Sequence, residues 1–172
     1  MTLLAEEVVE EWLNRQGYFT IRGIKLGVHE IDLLAVRIED RDLICRHFEV
    51  HASIRPVSYL CPLPKSIQRA TGRPPKSAKQ RTVDELTLSV KEWVKKKYLL
   101  EKKHSLRSGL YPGEWSFELV VHNLRHPEEL EHIAKEGVRV HHLSDIINDL
   151  SYSEFLIHGA AGADLADLIM LD

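Results

Sequence analysis

The stretch His29-Glu30-Ile31-Asp32-Leu33-Leu34-Ala35-Val36-Arg37-Ile38, the polar cluster Glu39-Asp40-Arg41-Asp42, and the run Leu43-Ile44-Cys45-Arg46-His47-Phe48-Glu49-Val50-His51 decide the fold. Two apolar, β-branched runs around a short polar break read as a hairpin. Folded about Asp40–Arg41, partner numbers sum to 81, so Asp32 faces Glu49, Glu30 faces His51 and Leu34 faces His47. Side chains alternate across a strand, which puts these six on one face and Ile31, Leu33, Ala35, Phe48 and Val50 on the other, core-facing one. Two carboxylates directly opposite cost a few tenths to ~1 kcal/mol. Something must therefore offset them. A divalent cation is the simplest candidate, since Mg²⁺ is held by one or two carboxylates plus waters and phosphate oxygens; arginines are the other.

Outward from the hairpin, Leu3 to Arg15 has the periodicity of an amphipathic helix, with Leu4, Val8 and Trp12 one turn apart and Gly17 as its stop. Phe19–Leu26 reads as a first strand of an antiparallel meander. Five of the seven prolines (56, 62, 64, 74, 75) crowd the span 55–76, which is expected to be a mobile, basic loop. A long helix is expected from Ser77, with Ser77 and Gln80 at capping-box spacing, to Lys103. Trp115–His122 reads as a buried strand. Pro127 and Gly137 bracket a helix over 128–136, Val138–His142 is a short strand, Ser144 opens a short helix, and the tail 152–172 ends in an apolar helix from Ala163 to Leu171.

One domain, residues 1–172, follows from the length. With 44% hydrophobic and 28% charged residues the composition excludes disorder, collagen-like repeats and membrane insertion. Two cysteines make neither a disulfide framework nor a zinc knuckle, and the early acidic residues leave no room for a signal peptide, so a cytoplasmic protein without a membrane partner is expected. Ten scattered histidines show no zinc spacing. No glycine-rich phosphate loop or GxSxG motif is present, which ranks nucleotide-dependent and acyl-transfer enzymes low. The net charge of −3 is unevenly spread: Lys65 to Arg107 holds thirteen basic residues against four acidic ones, leaving −12 elsewhere. A polyanion feels that local block.

Ala5-Glu6, Gly17-Tyr18, Glu30-Ile31-Asp32-Leu33-Leu34-Ala35 and Phe48-Glu49-Val50-His51-Ala52, with Lys79-Gln80-Arg81 ahead of the basic helix, resemble the motifs of the PD-(D/E)XK restriction-endonuclease-like superfamily. Its small members with a Holliday-junction-resolvase-like core are the most similar. The resemblance covers roughly residues 3–122. It implies an α/β fold: a restriction-endonuclease-like core with a central mixed sheet flanked by helices, in the order α-β-β-β-α-β, here followed by a C-terminal helix-strand-helix.

The resemblance further implies a metal-dependent DNA endonuclease. Asp32 and Glu49 would hold Mg²⁺ or Mn²⁺ together with the Val50 carbonyl, and Glu6 would reach the site from the first helix. Periodicity alone treats Glu6 and Glu11 alike; Glu6 follows from its spacing to Gly17-Tyr18. His51 departs from the pattern, which has lysine there. A histidine facing Glu30, Asp32 and Glu49 is open to becoming cationic, to acting as general base, or to ligating Mn²⁺, and equally to being the relic of a decayed site. Gln80 is a candidate for steering substrate or water, or a cap. Lys76, Lys79, Arg81, Lys91 and Lys95 are the expected contacts to DNA, duplex or branched, with Lys102 extending the stripe. Two competing readings remain: an inactive nucleic-acid-binding module on the same fold, and an interaction protein that forms a homodimer through Leu165, Leu168, Ile169 and Leu171.

Overall fold

The computed structural model describes residues 2–171. Helix α1 (Thr2–Arg15) leads into β1 (Phe19–Leu26), β2 (His29–Glu39) and β3 (Asp42–Val57). Helices α2 (Lys65–Thr71), α3 (Val83–Tyr98) and α4 (Glu101–Leu110) follow, then β4 (Trp115–Leu124), α5 (Glu128–Lys135), β5 (Val138–His142), α6 (Leu143–Tyr152) and α7 (Ala163–Ile169). The strands form one mixed sheet in the order β1-β2-β3-β4-β5. β1, β2 and β3 are an antiparallel meander, while β4 runs parallel to β3 and β5 parallel to β4. A short hairpin serves the first kind of connection and a helical crossover the second.

The central hairpin turns where the sequence places it. Leu33 pairs with Phe48, Leu34 with His47 and Glu39 with Asp42. Asp40 and Arg41 take the left-handed φ values, 49° and 76°, that a two-residue turn needs to match strand twist. Helices cover both faces. α1 and α6 bury Val9, Leu13, Leu33, Phe48, Val50 and Ile146 on one side; α3 and α5 bury Val90, Trp93, Tyr98, Leu119, Val121 and Ile133 on the other.

The basic helix differs from expectation at both ends. Its cap is Thr82, whose hydroxyl accepts from the Glu85 amide while the Glu85 carboxylate takes the Thr82 amide. Ser77 lies five residues upstream of that cap, in a turn whose amide bonds the Pro74 carbonyl. The expected helix also breaks in two at Leu99–Leu100. The break has a cause: folding back as α4 lets Lys103 donate to the Lys97 carbonyl (2.7 Å) and Arg107 to the Tyr98 carbonyl (2.8 Å), closing the open end of α3. Lys102 therefore sits on α4, and the stripe Lys91–Lys95–Lys102 is not one helix face.

In the span 55–76, β3 continues to Val57, with Pro56 in the register shift between Ala52 and Val57 where no ladder bond is required. Tyr59, Cys61 and Leu63 are buried. The Glu129 carboxylate accepts from the amides of Leu60 (2.7 Å) and Cys61 (2.9 Å), and α2 occupies the middle of the span. The tail span 152–172 reaches one residue beyond those described. Its helix α7 stops at Ile169, and Leu168 and Leu171 are exposed. The segment before it is fixed on α1 by Glu11, which accepts from the amides of Ala160 (2.9 Å) and Gly162 (3.0 Å) and from Arg15 Nε (2.7 Å). A Cβ at position 162 would stand 3.0 Å from Glu11 Cβ and 3.2 Å from the Glu7 carbonyl, a close approach that admits a side chain only if α1 gives by a few tenths of an ångström.

Candidate active site

The antiparallel ladder between β2 and β3 ends at Leu33–Phe48. One residue further on, the Asp32 carboxylate takes the place of a ladder partner: its Oδ2 accepts from the Val50 amide at 2.7 Å. Glu49 is next to it on β3, wholly buried. The two carboxylates thus converge where the strands part. Burial, and next the neighbouring Glu49 charge, push the Asp32 carboxyl up to about 7.

Glu49 is held differently. Oε1 accepts from Lys103 Nζ at 2.7 Å, Oε2 from Lys97 Nζ at 2.7 Å, and His47 Nε2 lies 3.2 Å from Oε1. Burial alone would raise this carboxyl, but the His47 hydrogen bond and the two ammonium groups outweigh it and hold it down to about 2. Arg107 Nη1 is 2.9 Å from His47 Nδ1. A guanidinium can only donate, so Nδ1 is the bare nitrogen and Nε2–H the donor to Glu49. His47 is accordingly neutral, with burial pushing it down to about 4. Burial opposes the charge on Lys97, yet Glu49 more than restores it and raises its pKa. The offset expected from a metal or from arginines is, in this structure, supplied by two lysines.

His51 is half-buried on the same face, its ring 5.8 Å from that of Trp93. Burial, then the Lys97 charge, push it down to about 4, and its Nε2 has no partner. Of the alternatives the sequence left open for His51, the cationic one is disfavoured, first by burial and then by Lys97, which outweighs the raising field of Glu49. The β2–β3 ladder stops short of the Glu30–His51 position, and Glu30 pairs across the strands with Lys25 of β1 and forms an ion pair with it.

Glu6 and Glu11, equivalent by periodicity, separate here. Glu11 is consumed in holding the tail. Glu6 is buried on α1, and burial, followed by the field of Glu30, raises its carboxyl; the field of Glu49 reaches it as well. Gln80 is an exposed loop residue outside this network, and its capping-box role belongs to Glu85. Lys76, Lys79, Lys91 and Lys95 are exposed. Arg81 is not a surface cation: its side chain is sealed off, donates to the Cys61 carbonyl (2.7 Å), lies 3.8 Å from Glu129 and covers the Tyr59 ring at 4.0 Å. It pins the 59–63 segment instead of meeting a phosphate.

Sequence reasoning missed Lys97, Lys103, Arg107 and the role of His47. A signal existed for one of them. Val90, Trp93, Val94 and Lys97 occupy i, i+3, i+4 and i+7 of α3, so Lys97 extends the buried face of the helix. Lys103 and Arg107 carried none, because they reach the site only through the break at Leu99–Leu100.

The donor set suits a hard cation. Among the described residues no three His, Cys, Asp or Glu side chains gather as a metal cage. Two carboxylates with oxygen donors alone, were they to hold a cation, would suit Mg²⁺ or Mn²⁺ better than zinc. Asp32 is raised to about 7 first by burial and then by the Glu49 charge beside it, because both ammonium groups are bonded to Glu49 and neither to Asp32. No helix among the described residues is long and apolar enough to cross a membrane. No family model matches this chain, and neither a curated protein nor a solved structure matches it.

Proposed function

We propose that this protein is a metal-dependent DNA endonuclease with a restriction-endonuclease-like core. The single observation that carries the reading is the convergence of Asp32 and Glu49 at the parting of β2 and β3, with the Lys97 ammonium 2.7 Å from Glu49. The element order supports it too: helix, three antiparallel strands, helical crossover, parallel strand.

Asp32, Glu49 and the Val50 carbonyl would hold the cation. Bound there, a divalent ion supplies charge neutralisation at the scissile phosphate and a more acidic water. Lys97 fills the role that His51 leaves open. It is a fixed positive charge beside the carboxylates, its side chain 27% exposed and therefore within reach of a phosphate oxygen. His51, neutral, is fit to accept a proton or a hydrogen bond from water. Lys103, buried with Glu49, keeps that carboxylate ionised and oriented.

A second reading has its own observation. Both Glu49 oxygens already hold ammonium groups, which favours a binding module on the same fold that uses the lysines and not a metal. Incubating plasmid and branched DNA with Mg²⁺ or Mn²⁺ separates the two. Wild type cleaves, Asp32→Ala does not, Lys97→Met is about a hundredfold slower, and His51→Lys is at least as fast as wild type. Wild type that binds DNA without cutting it, under either metal, would establish the binding module.

A further inference from the structure

A cavity of about 640 Å³ opens beside the carboxylates, at the carboxyl ends of β3 and β4. Its size lies within the range of small-molecule sites, and the carboxyl ends of strands are where open α/β sheets bind ligands. The opening has a structural cause: the register shift between Ala52 and Val57 peels β3 from β4, and Ala52, Ser53 and Val57 line the gap. Trp93, Leu60, Leu63 and Leu124 make the walls largely apolar. Around them stand four ammonium groups, Lys65, Lys76, Lys96 and Lys97, against one carboxylate, Glu92. Lys97 and His51 belong both to this cavity and to the Asp32–Glu49 centre.

An apolar, aromatic-walled chamber rimmed by excess positive charge is complementary to a group with a flat apolar face and phosphates at its edge. We propose that the cavity receives a single unstacked nucleotide of the DNA strand, its base against the apolar wall that Leu60 and Leu124 share with the edge of Trp93, and its flanking phosphates on Lys65, Lys76 and Lys96. Resting on the nuclease reading, this assigns the substrate class: DNA with an unpaired nucleotide, as at a bulge, in preference to perfect duplex. A base already free of its pair enters without the unpairing cost, and Lys97 brings the adjoining phosphate to the carboxylates.

The test is equilibrium binding in EDTA, by fluorescence anisotropy, of a perfect duplex and of the same duplex with a one-nucleotide bulge. Wild type is expected to favour the bulge by about tenfold or more, since a bulged base enters without the unpairing that a duplex base requires. Ser58→Phe, which fills the cavity from its half-buried wall, abolishes the preference and leaves perfect-duplex affinity within about twofold. Lys65→Glu with Lys96→Glu, both at exposed positions, reduces the preference without burdening the fold. Equal affinity of wild type for the two duplexes overturns the nucleotide pocket alone. A bulge preference without cleavage under metal supports the pocket and overturns the nuclease. Failure to bind either DNA overturns both.

Discussion

Glu49 and Glu118 are wholly buried glutamates on neighbouring parallel strands, one on each face of the sheet, and both carboxyls are held down to about 2. Their surroundings differ. Glu118 receives Arg46 Nε (3.0 Å), Ser116 Oγ (2.8 Å) and His141 Nε2 (2.6 Å), and the Arg46 guanidinium is packed 4.7 Å from the Phe48 ring and 5.6 Å from Trp12. Charge is balanced by Arg46, which is clamped by aromatic rings. Glu49 has two lysines, but Asp32 stands beside it and is left at about 7. A buried carboxylate with matched, rigid partners is structural. At Glu49 the two ammonium groups balance the two carboxylates in number, but both bind Glu49, so Asp32 stays buried without a cation of its own, and one of the two lysines reaches solvent.

Exchanging the two acids for neutral isosteres gives the largest contrast. Asp32→Asn should lower DNA cleavage about a thousandfold or more, several kcal/mol of lost charge stabilisation, with the thermal transition kept or raised. Glu118→Gln should do the reverse. It leaves buried Arg46 without its counter-ion and costs about 3 kcal/mol of stability, while cleavage per folded molecule stays within about twofold. Plasmid cleavage and urea denaturation of the two variants measure this; equal loss of stability in both would erase the distinction.

The pH dependence of stability should split the two centres next. Glu118 is depressed, so its stabilisation is full above the ordinary carboxyl value of 4.5 and drains away as pH falls through about 2. Asp32 is raised, so the folded chain keeps a proton that the unfolded chain has lost; stability is highest below 3.8 and falls as pH rises to about 7. Melting curves from pH 2 to 9 should show the acid loss weakened in Glu118→Gln, and Asp32→Asn should gain on wild type as pH rises from 4 to 7, a window in which His47 and His51, both pushed down to about 4, add stability to either chain. A difference in melting temperature between Asp32→Asn and wild type that stays constant from pH 4 to 8 would contradict the raised Asp32 carboxyl.

The same contrast explains what the sequence made legible. Period-two alternation and a two-residue turn set the hairpin register, so Leu34 opposite His47, and the shared face of Asp32 and Glu49, were readable from residue order alone. Strand and helix periodicity likewise gave α1 and the meander. Partners from distant segments were not readable. Arg46 and Glu118 meet only because β4 pairs in parallel with β3, after a crossover of more than fifty residues. Lys103 and Arg107 arrive by a helix break that the run Lys95-Lys96-Lys97-Tyr98-Leu99-Leu100, with no glycine or proline, does not announce. Arg81 looked like surface charge because burial of a single arginine over a tyrosine leaves no periodic trace.

The smallest expected effect concerns cations that belong to neither centre. Lys91 and Lys95 stand one turn apart on the outer side of α3, exposed and without an ion pair among the described residues, so replacing them leaves the fold untouched. If they track a phosphate backbone, Lys91→Gln and Lys95→Gln should each flatten the slope of log K against log salt by ~0.9 and weaken binding alike for every duplex. Lys103→Gln should leave that slope unchanged, since its ammonium faces Glu49 and has no route to a phosphate, and should appear instead as lost stability and lost cleavage. Slopes measured between 50 and 200 mM salt decide it. A slope that fails to move in either surface variant would shift the DNA-facing surface from α3 to Lys76, Lys79 and the cavity rim, because only cations in contact with the strand release counterions on binding.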